Sequence, residues 1–217
     1  MTREISFRHK RSRTAIGIGL GACLLTSPAA ARETAKPPST ARQLDAKPQS
    51  TLRSLELQRA FVCGSHIARA GVYTQPSNPH PKWSIDQITQ AKSILVMLGL
   101  DTNVLPKVAA NPSAADHIAI LEGSGKITTQ LQKKPDAVRH AYALGLAMGA
   151  AEAESDTGEP SRATVRLKLT EAQAEAKTPS MNLAPEDLGK IVSALDDKIP
   201  MQTIHDQIVG LTGQYSQ

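Results

Sequence analysis

Two segments of this 217-residue chain, 81 positions apart, repeat one pattern around a central glycine. Residues 60–67 (AFVCGSHI) and 141–148 (AYALGLAM) each begin with alanine and an aromatic residue and carry glycine at the fifth position. Apolar and small residues recur at intervals of three and four, which is the period of a helix. This self-similarity predicts two related helical units.

The glycines of these segments predict a close helix crossing. Each central glycine is followed one turn later by a second small residue, Ala68 after Gly64 and Gly149 after Gly145. Glycine inside a helix costs about 1 kcal/mol relative to alanine, which implies a packing role. Because missing side chains let two backbones approach, we expect the helices to cross at Gly64, Gly145 and Gly149 about a pseudo-twofold axis.

A second match lies downstream, at a spacing of 100 residues. Its apolar positions correspond as follows: Trp83, Ile88, Ala91, Leu95, Val104 and Val108 fall on Leu183, Leu188, Ile191, Leu195, Ile204 and Val209 or its neighbour Ile208. The change of spacing predicts an insertion in the second unit, at residues 152–180. Within it we favour a loop and a helix over an isolated strand, which would lack a partner.

Capping signals predict where further helices begin. Ser84 and Gln87 have the spacing of a capping box, with Trp83 and Ile88 at the staple positions. A short helix carrying Val104 and Val108 is expected to follow.

Two later helix starts are also predicted. Ser113 opens a helix that the glycines of residues 123–125 (GSG) are expected to divide by a turn. Pro185 stands where the first residue of a helix is expected, between Leu183 and Leu188 at staple positions.

The predicted fold class is therefore all-α, with two similar helical units packed as one domain over residues 51–217. Unit one covers about 52–110, connecting helices cover 113–133, and unit two covers about 136–214. Residues 32–50 contain three prolines and no apolar periodicity, so we expect a disordered linker there.

Residues 1–31 have the three parts of a secretory signal: basic residues up to Arg13, an apolar run over residues 15–25, and Ala29-Ala30-Ala31. The apolar run is shorter than the roughly 18 residues that a membrane anchor needs. We expect cleavage after Ala31 and export by the Sec route to the periplasm or the exterior.

An alternative leaves the protein on a membrane. Residues 20–23 (LGAC) resemble a bacterial lipobox, in which Cys23 would be acylated and become the new N-terminus. Membrane attachment is expected only in that case.

The charge distribution excludes nucleic acid as a partner. Five of the 25 basic residues but only one of the 20 acidic residues lie in residues 1–31, so the formal charge of +5 falls to +1 for the rest. A chain without a basic surface has few counterions to displace from phosphates.

The sequence offers one candidate pair of catalytic residues. Cys63 and His66 are three residues apart and share a helix face, as a thiolate–imidazole pair would. An alternative function, an enzyme or small-ligand binder, would combine them with His140 or Tyr142 of the second unit. A buried cysteine usually acts as a small apolar residue, which is the interpretation we favour, and we expect neither metal nor cofactor.

Residues 142–149 (YALGLAMG) resemble the first helix of the N-terminal dimerisation stalk of exported FKBP-type prolyl isomerases. The resemblance covers about a dozen residues. It implies a helical module for dimerisation or for holding another protein, without catalysis.

The leading expectation is thus an exported, non-catalytic helical module. Its partner would be another envelope or extracellular protein, or a second copy of the same chain as a homodimer.

Overall fold

The computed structural model describes residues 51–75, 80–157 and 160–217, and within these ranges it contains helices and no strands. The α-helices are α1 (Leu55–Tyr73), α2 (Pro81–Leu98), α3 (Ala114–Leu131), α4 (Asp136–Ser155), α5 (Arg162–Ala176), α6 (Pro185–Asp196) and α7 (Met201–Tyr215). A 3-10 turn, Thr102–Val104, follows α2. The all-α fold class is confirmed. The predicted signal peptide, Cys23 and the linker lie outside the described residues.

The helices pack around a central pair. Buried residues of all seven helices form one apolar cluster, in which α1 and α4 share the largest interface. Helices α2 and α3 pack on α1, whereas α5 and α7 pack on α4. In the described part of the chain, no helix combines the length and apolar character needed to cross a bilayer.

Glycine makes the contact between α1 and α4 possible. A Cβ atom on Gly64 would overlap the carbonyl oxygen of Tyr142, and one on Gly145 would overlap the carbonyl oxygen of Phe61. Gly149, one turn further along α4, meets the backbone of α1 in the same way. The first two contacts are reciprocal, because both the glycines and the aromatic residues are 81 positions apart. Such reciprocity is typical of packing about a twofold axis.

Helix α2 begins earlier than the capping pattern indicated. It starts at Pro81, and proline is tolerated in a first turn because the backbone N–H is not needed there. Ser84 is buried, and its hydroxyl donates to the carbonyl oxygen of Ala70 at 3.3 Å. The predicted capping box at Ser84 is therefore wrong. Trp83 lies in the first turn, edge-on to Tyr73 with a ring separation of 5.4 Å.

The segment after α2 is also less helical than expected. Val104 ends the 3-10 turn, and Val108 lies beyond it in irregular chain. The predicted helix carrying both residues is wrong. Their assigned counterparts, Ile204 and Ile208, both lie in α7, so the two hairpins differ here.

Helix α3 begins as predicted but has no break. Ser113 and Asp116 form a capping box at its start. The expected turn at residues 123–125 is wrong, because α3 runs unbroken to Leu131. Gly123 instead packs on the 3-10 turn, since a Cβ atom there would lie 2.6 Å from the carbonyl oxygen of Val104.

The region assigned to an insertion is largely helical. Helix α4 continues to Ser155, and α5 occupies Arg162–Ala176, with Val165 and Leu169 on its buried side. The expected helix is thus confirmed. Helix α6 starts at Pro185, also as predicted.

The glycine contact predicts a sharp difference between two Gly→Ala substitutions. We expect Gly145→Ala to lower the free energy of unfolding by about 1–3 kcal/mol, the usual cost of overpacking, because the new methyl group meets backbone atoms. Urea denaturation measures this change.

Gly125→Ala is the matched control. Gly125 lies inside α3, and nothing lies within 4 Å of the position that an alanine methyl group would take, so alanine should raise stability by up to about 1 kcal/mol. Equal stability of the two variants would contradict the proposed role of the crossing.

Candidate functional site

Cys63 lies in the core and has the properties of an unreactive thiol. Its side chain is fully buried, and Sγ is 3.9 Å from the carbonyl oxygen of Ala91 on α2. Burial raises the pKa of Cys63 to about 12, because the thiolate would lose its hydration. Since the thiolate is the nucleophilic form, this environment opposes covalent catalysis.

His66 is engaged separately, on the side of α1 that faces α2. Its Nδ1 atom lies 2.5 Å from Oε1 of Gln87. Burial lowers the pKa of His66, and the hydrogen bond with Gln87 opposes that change. Next to it, Arg69 and Glu152 form an ion pair of 2.6 Å between α1 and α4.

The two candidates of the second unit have partners of their own. Nδ1 of His140 lies 2.7 Å from a carboxylate oxygen of Glu175 on α5. The hydroxyl of Tyr142 lies 3.1 Å from Oγ of Ser124 on α3, and burial raises the pKa of Tyr142. Thus Cys63 and His66 bond to α2, whereas His140 and Tyr142 bond to α5 and α3.

The structure instead opens a different cavity, between α3 and α5. It has a volume of about 560 Å³, and α1 and α4 form its floor. We call it the α3–α5 groove. Its lining is mainly apolar and includes Ile67, Val72, Ile120, Leu121, Leu146 and Ala147. None of the four predicted site residues Cys63, His66, His140 and Tyr142 lines it.

Charged side chains line this groove on its α5 wall and at the end of its α4 floor. Glu154, Glu171 and Glu175 contribute three carboxylates, against one ammonium group from Lys168. Lys168 and Glu171 pair at 3.0 Å, one turn apart on α5. The groove therefore has an apolar floor and a predominantly acidic edge.

The α3 side is held in place by a histidine. Nδ1 of His117 lies 2.8 Å from the carbonyl oxygen of Gly71 and 3.3 Å from Oγ1 of Thr74, both near the end of α1. These contacts fix the start of α3 beside α1. Leu121, one turn later, keeps 55% of its surface exposed at the mouth of the groove.

The sequence alone does not indicate the groove, because α5 falls in the segment assigned to an insertion and has no defined neighbour there. The sequence does show one feature of its α5 wall, because the spacing of Lys168, Glu171 and Glu175 places three charges on one face of a helix.

In the described part of the chain, no three His, Cys, Asp or Glu residues cluster as metal ligands do.

Comparisons of the chain with protein-family models, with curated proteins and with solved structures find no match.

The environment of Cys63 predicts slow chemical modification. We expect iodoacetamide to alkylate Cys63 at least about a hundredfold more slowly in the folded protein than in urea, because few thiolates form and the sulfur is buried. Peptide mass mapping over time gives the rate for the peptide that contains Cys63.

The variant His66→Ala distinguishes a buried, slowly alkylated Cys63 from a Cys63 that His66 activates. A thiolate–imidazole pair would lose reactivity when His66 is replaced, whereas an isolated buried thiol keeps its slow rate in a folded variant. Rapid alkylation of the native protein that depends on His66 would contradict the buried-thiol interpretation.

The lowered pKa of His66 predicts a loss of stability in mild acid. An unfolded histidine titrates near pH 6.5, so its contribution to stability is complete above about pH 6.5 and is lost as the pH falls through the lowered native pKa. We expect His66→Gln to reduce the pH dependence of unfolding between about pH 7.5 and 5. Urea titrations at several pH values measure it, and an unchanged dependence would contradict the assignment.

Proposed function

We propose that this chain is an exported, non-catalytic helical module that binds another protein of the envelope or the exterior. The observation that carries this proposal is the α3–α5 groove, an open apolar surface on a helical scaffold. Apolar grooves between helices are a common docking site for segments of other proteins. Export rests on the N-terminal sequence of residues 1–31.

The state of the candidate catalytic residues supports a role without catalysis. Cys63 has a raised pKa in the core, and the hydroxyl of Tyr142 is buried against Ser124. His66 bonds to Gln87 on α2, and His140 bonds to Glu175, a groove-lining residue of α5. Neither histidine lines the groove itself. A nucleophile and its base normally lie within hydrogen-bond reach and face a place for the substrate.

A small-ligand binder is the second candidate function. The groove volume of about 560 Å³ falls in the range of roughly 300–1,000 Å³ that small-molecule sites occupy. Such sites usually enclose most of their ligand, whereas this groove has Leu121 largely exposed at its mouth. We therefore favour a protein segment as the occupant.

We also infer that the two helical units arose by duplication in a single register of 81 residues. Helices α1 and α2 begin at residues 55 and 81, and α4 and α5 begin at 136 and 162. The four buried residues of α5 each fall 81 positions after a buried residue of α2: Val165, Leu169, Ala172 and Ala176 follow Ser84, Ile88, Ala91 and Leu95. This register makes α5, rather than α6, the counterpart of α2.

The third helices of the two units support the same inference. The hydroxyl groups of Thr74 and Ser155, which are 81 residues apart, contact Nδ1 of His117 on α3 and of His205 on α7, respectively. With these histidines aligned, three buried residues of α3 also correspond to buried residues of α7: Ile120, Gly123 and Ile127 match Ile208, Leu211 and Tyr215. Helix α6 is then the added element.

The proposed function predicts position-dependent crosslinking. With benzoylphenylalanine in place of Leu121, we expect light to produce one discrete adduct with a second protein in the native cells, because this side chain borders the groove. The same substitution at Leu55 is the matched control, since Leu55 is 59% exposed but begins α1, away from the groove.

The mass of the adduct distinguishes the candidates. A heterologous adduct at position 121 alone supports the proposed function, and twice the mass of the chain would indicate self-association. Similar labelling at both positions, or none at position 121, would contradict the use of this groove.

A further inference from the structure

We propose, building on the protein-binding function above, that the occupant of the α3–α5 groove is a basic amphipathic helix of about three turns supplied by another protein. The apolar face of that helix would lie on α1 and α4, and its lysine or arginine side chains would face the carboxylates of α4 and α5.

The dimensions of the groove indicate the length of the occupant. Its floor follows α4 from Ala143 to Glu154, which at 1.5 Å per residue is about 16 Å, or three helical turns. One wall is α3 from His117 to Ser124, and the other is α5 from Lys168 to Glu175. A segment of about 11 residues with anchors at intervals of three and four matches this floor.

Small residues on the floor leave room for large side chains of a partner. Ala68 and Gly71 of α1 and Ala147 and Ala150 of α4 all line the groove. Gly71 differs from the crossing glycines, because a Cβ atom there would make only ordinary contacts, the nearest at 3.9 Å from Leu121. Packing within the chain therefore does not require a glycine at this position.

The other side of the central pair shows how such a groove is closed. At a spacing of 81 residues, Gly71 corresponds to Glu152, and Ala150 corresponds to Arg69. The Arg69–Glu152 ion pair bridges α1 and α4 with side chains that are only 16% and 14% exposed. On one side of the central pair, these positions carry the large side chains of Arg69 and Glu152. On the side of the groove, the corresponding positions carry Ala150 and Gly71.

Charge selects the class of partner. Three carboxylates and one ammonium group line the groove. Lys168 pairs with Glu171 on α5, so the excess negative charge comes from Glu154 on α4 and from Glu175 on α5, which also bonds to His140. Complementary charges at the edge of an interface favour the correct partner and disfavour like-charged ones. An apolar floor with an acidic edge therefore fits a helix that carries leucine-like anchors between lysines or arginines.

The test uses two synthetic 14-residue peptides and the full chain. Both peptides have the same leucine positions, and the remaining positions are all lysine in one and all glutamate in the other. Fluorescence anisotropy of the labelled peptides measures their dissociation constants. We expect the Leu/Lys peptide to bind at least about tenfold more tightly than the Leu/Glu peptide.

Substitutions locate the binding. Glu154→Lys should weaken binding of the Leu/Lys peptide about fivefold to tenfold, whereas Glu122→Lys, on the exposed side of α3, should change it less than about twofold. The double substitution Gly71→Glu and Ala150→Arg recreates the closing ion pair inside the groove and should abolish binding. Gly71→Leu fills the floor without adding charge, and thermal melts check that each variant folds.

Several outcomes would overturn this inference. Equal affinity for both peptides would refute selection by charge, and unchanged binding to the folded closed variants would place the peptide elsewhere. Failure of both peptides to bind, together with crosslinks at position 121, would reject a basic helix but leave the protein-binding function standing. Failure of peptides and crosslinks together would reject both.

Discussion

The backbone contact between α1 and α4 is the interaction on which the rest of this structure depends. Gly64 and Gly145 bring carbonyl oxygens and Cα atoms of the two helices together, where any side chain would hold the helices apart. Each glycine lowers intrinsic helix stability by about 1 kcal/mol. That cost is offset by packing, because the crossing forms a two-helix centre on which α2, α3, α5 and α7 pack, and α6 in turn packs on α5 and α7.

The same contact determines where grooves form. Two helices that cross closely leave a depression on each side, and the side chains one turn or two beyond the crossing decide whether it is filled. Arg69 and Glu152 fill one depression with an ion pair. Gly71 and Ala150 leave the other open, and α3 and α5 form its walls. The groove thus follows from four residues near the crossing and from the placement of two outer helices.

The features that could be predicted from the sequence are those with a strong local signal. The apolar period identified the central helices, and Ser113 and Pro185 marked two true helix starts. Local signals failed where tertiary packing decided the outcome: Ser84 resembles a cap but is buried against α1, and Gly123 resembles a break but fits the 3-10 turn. The groove was not predictable, because its walls come from helices that are distant in sequence and α5 has few large apolar residues.

The two sides of the α1–α4 crossing differ in the side chains that lie beside it. In a symmetric pair, both depressions beside the crossing would be alike, and filling both would give only a scaffold. In this chain the two depressions differ: one holds the Arg69–Glu152 ion pair that links α1 to α4, and the other is lined by Gly71 and Ala150. The filled side supports the central contact, so the open side is free to remain apolar. Cys63 and Tyr142 are used in packing on the buried faces of these helices. The groups at the open side include an apolar surface, the carboxylates of α4 and α5, and the polar side chains of Lys168, His117 and Ser124.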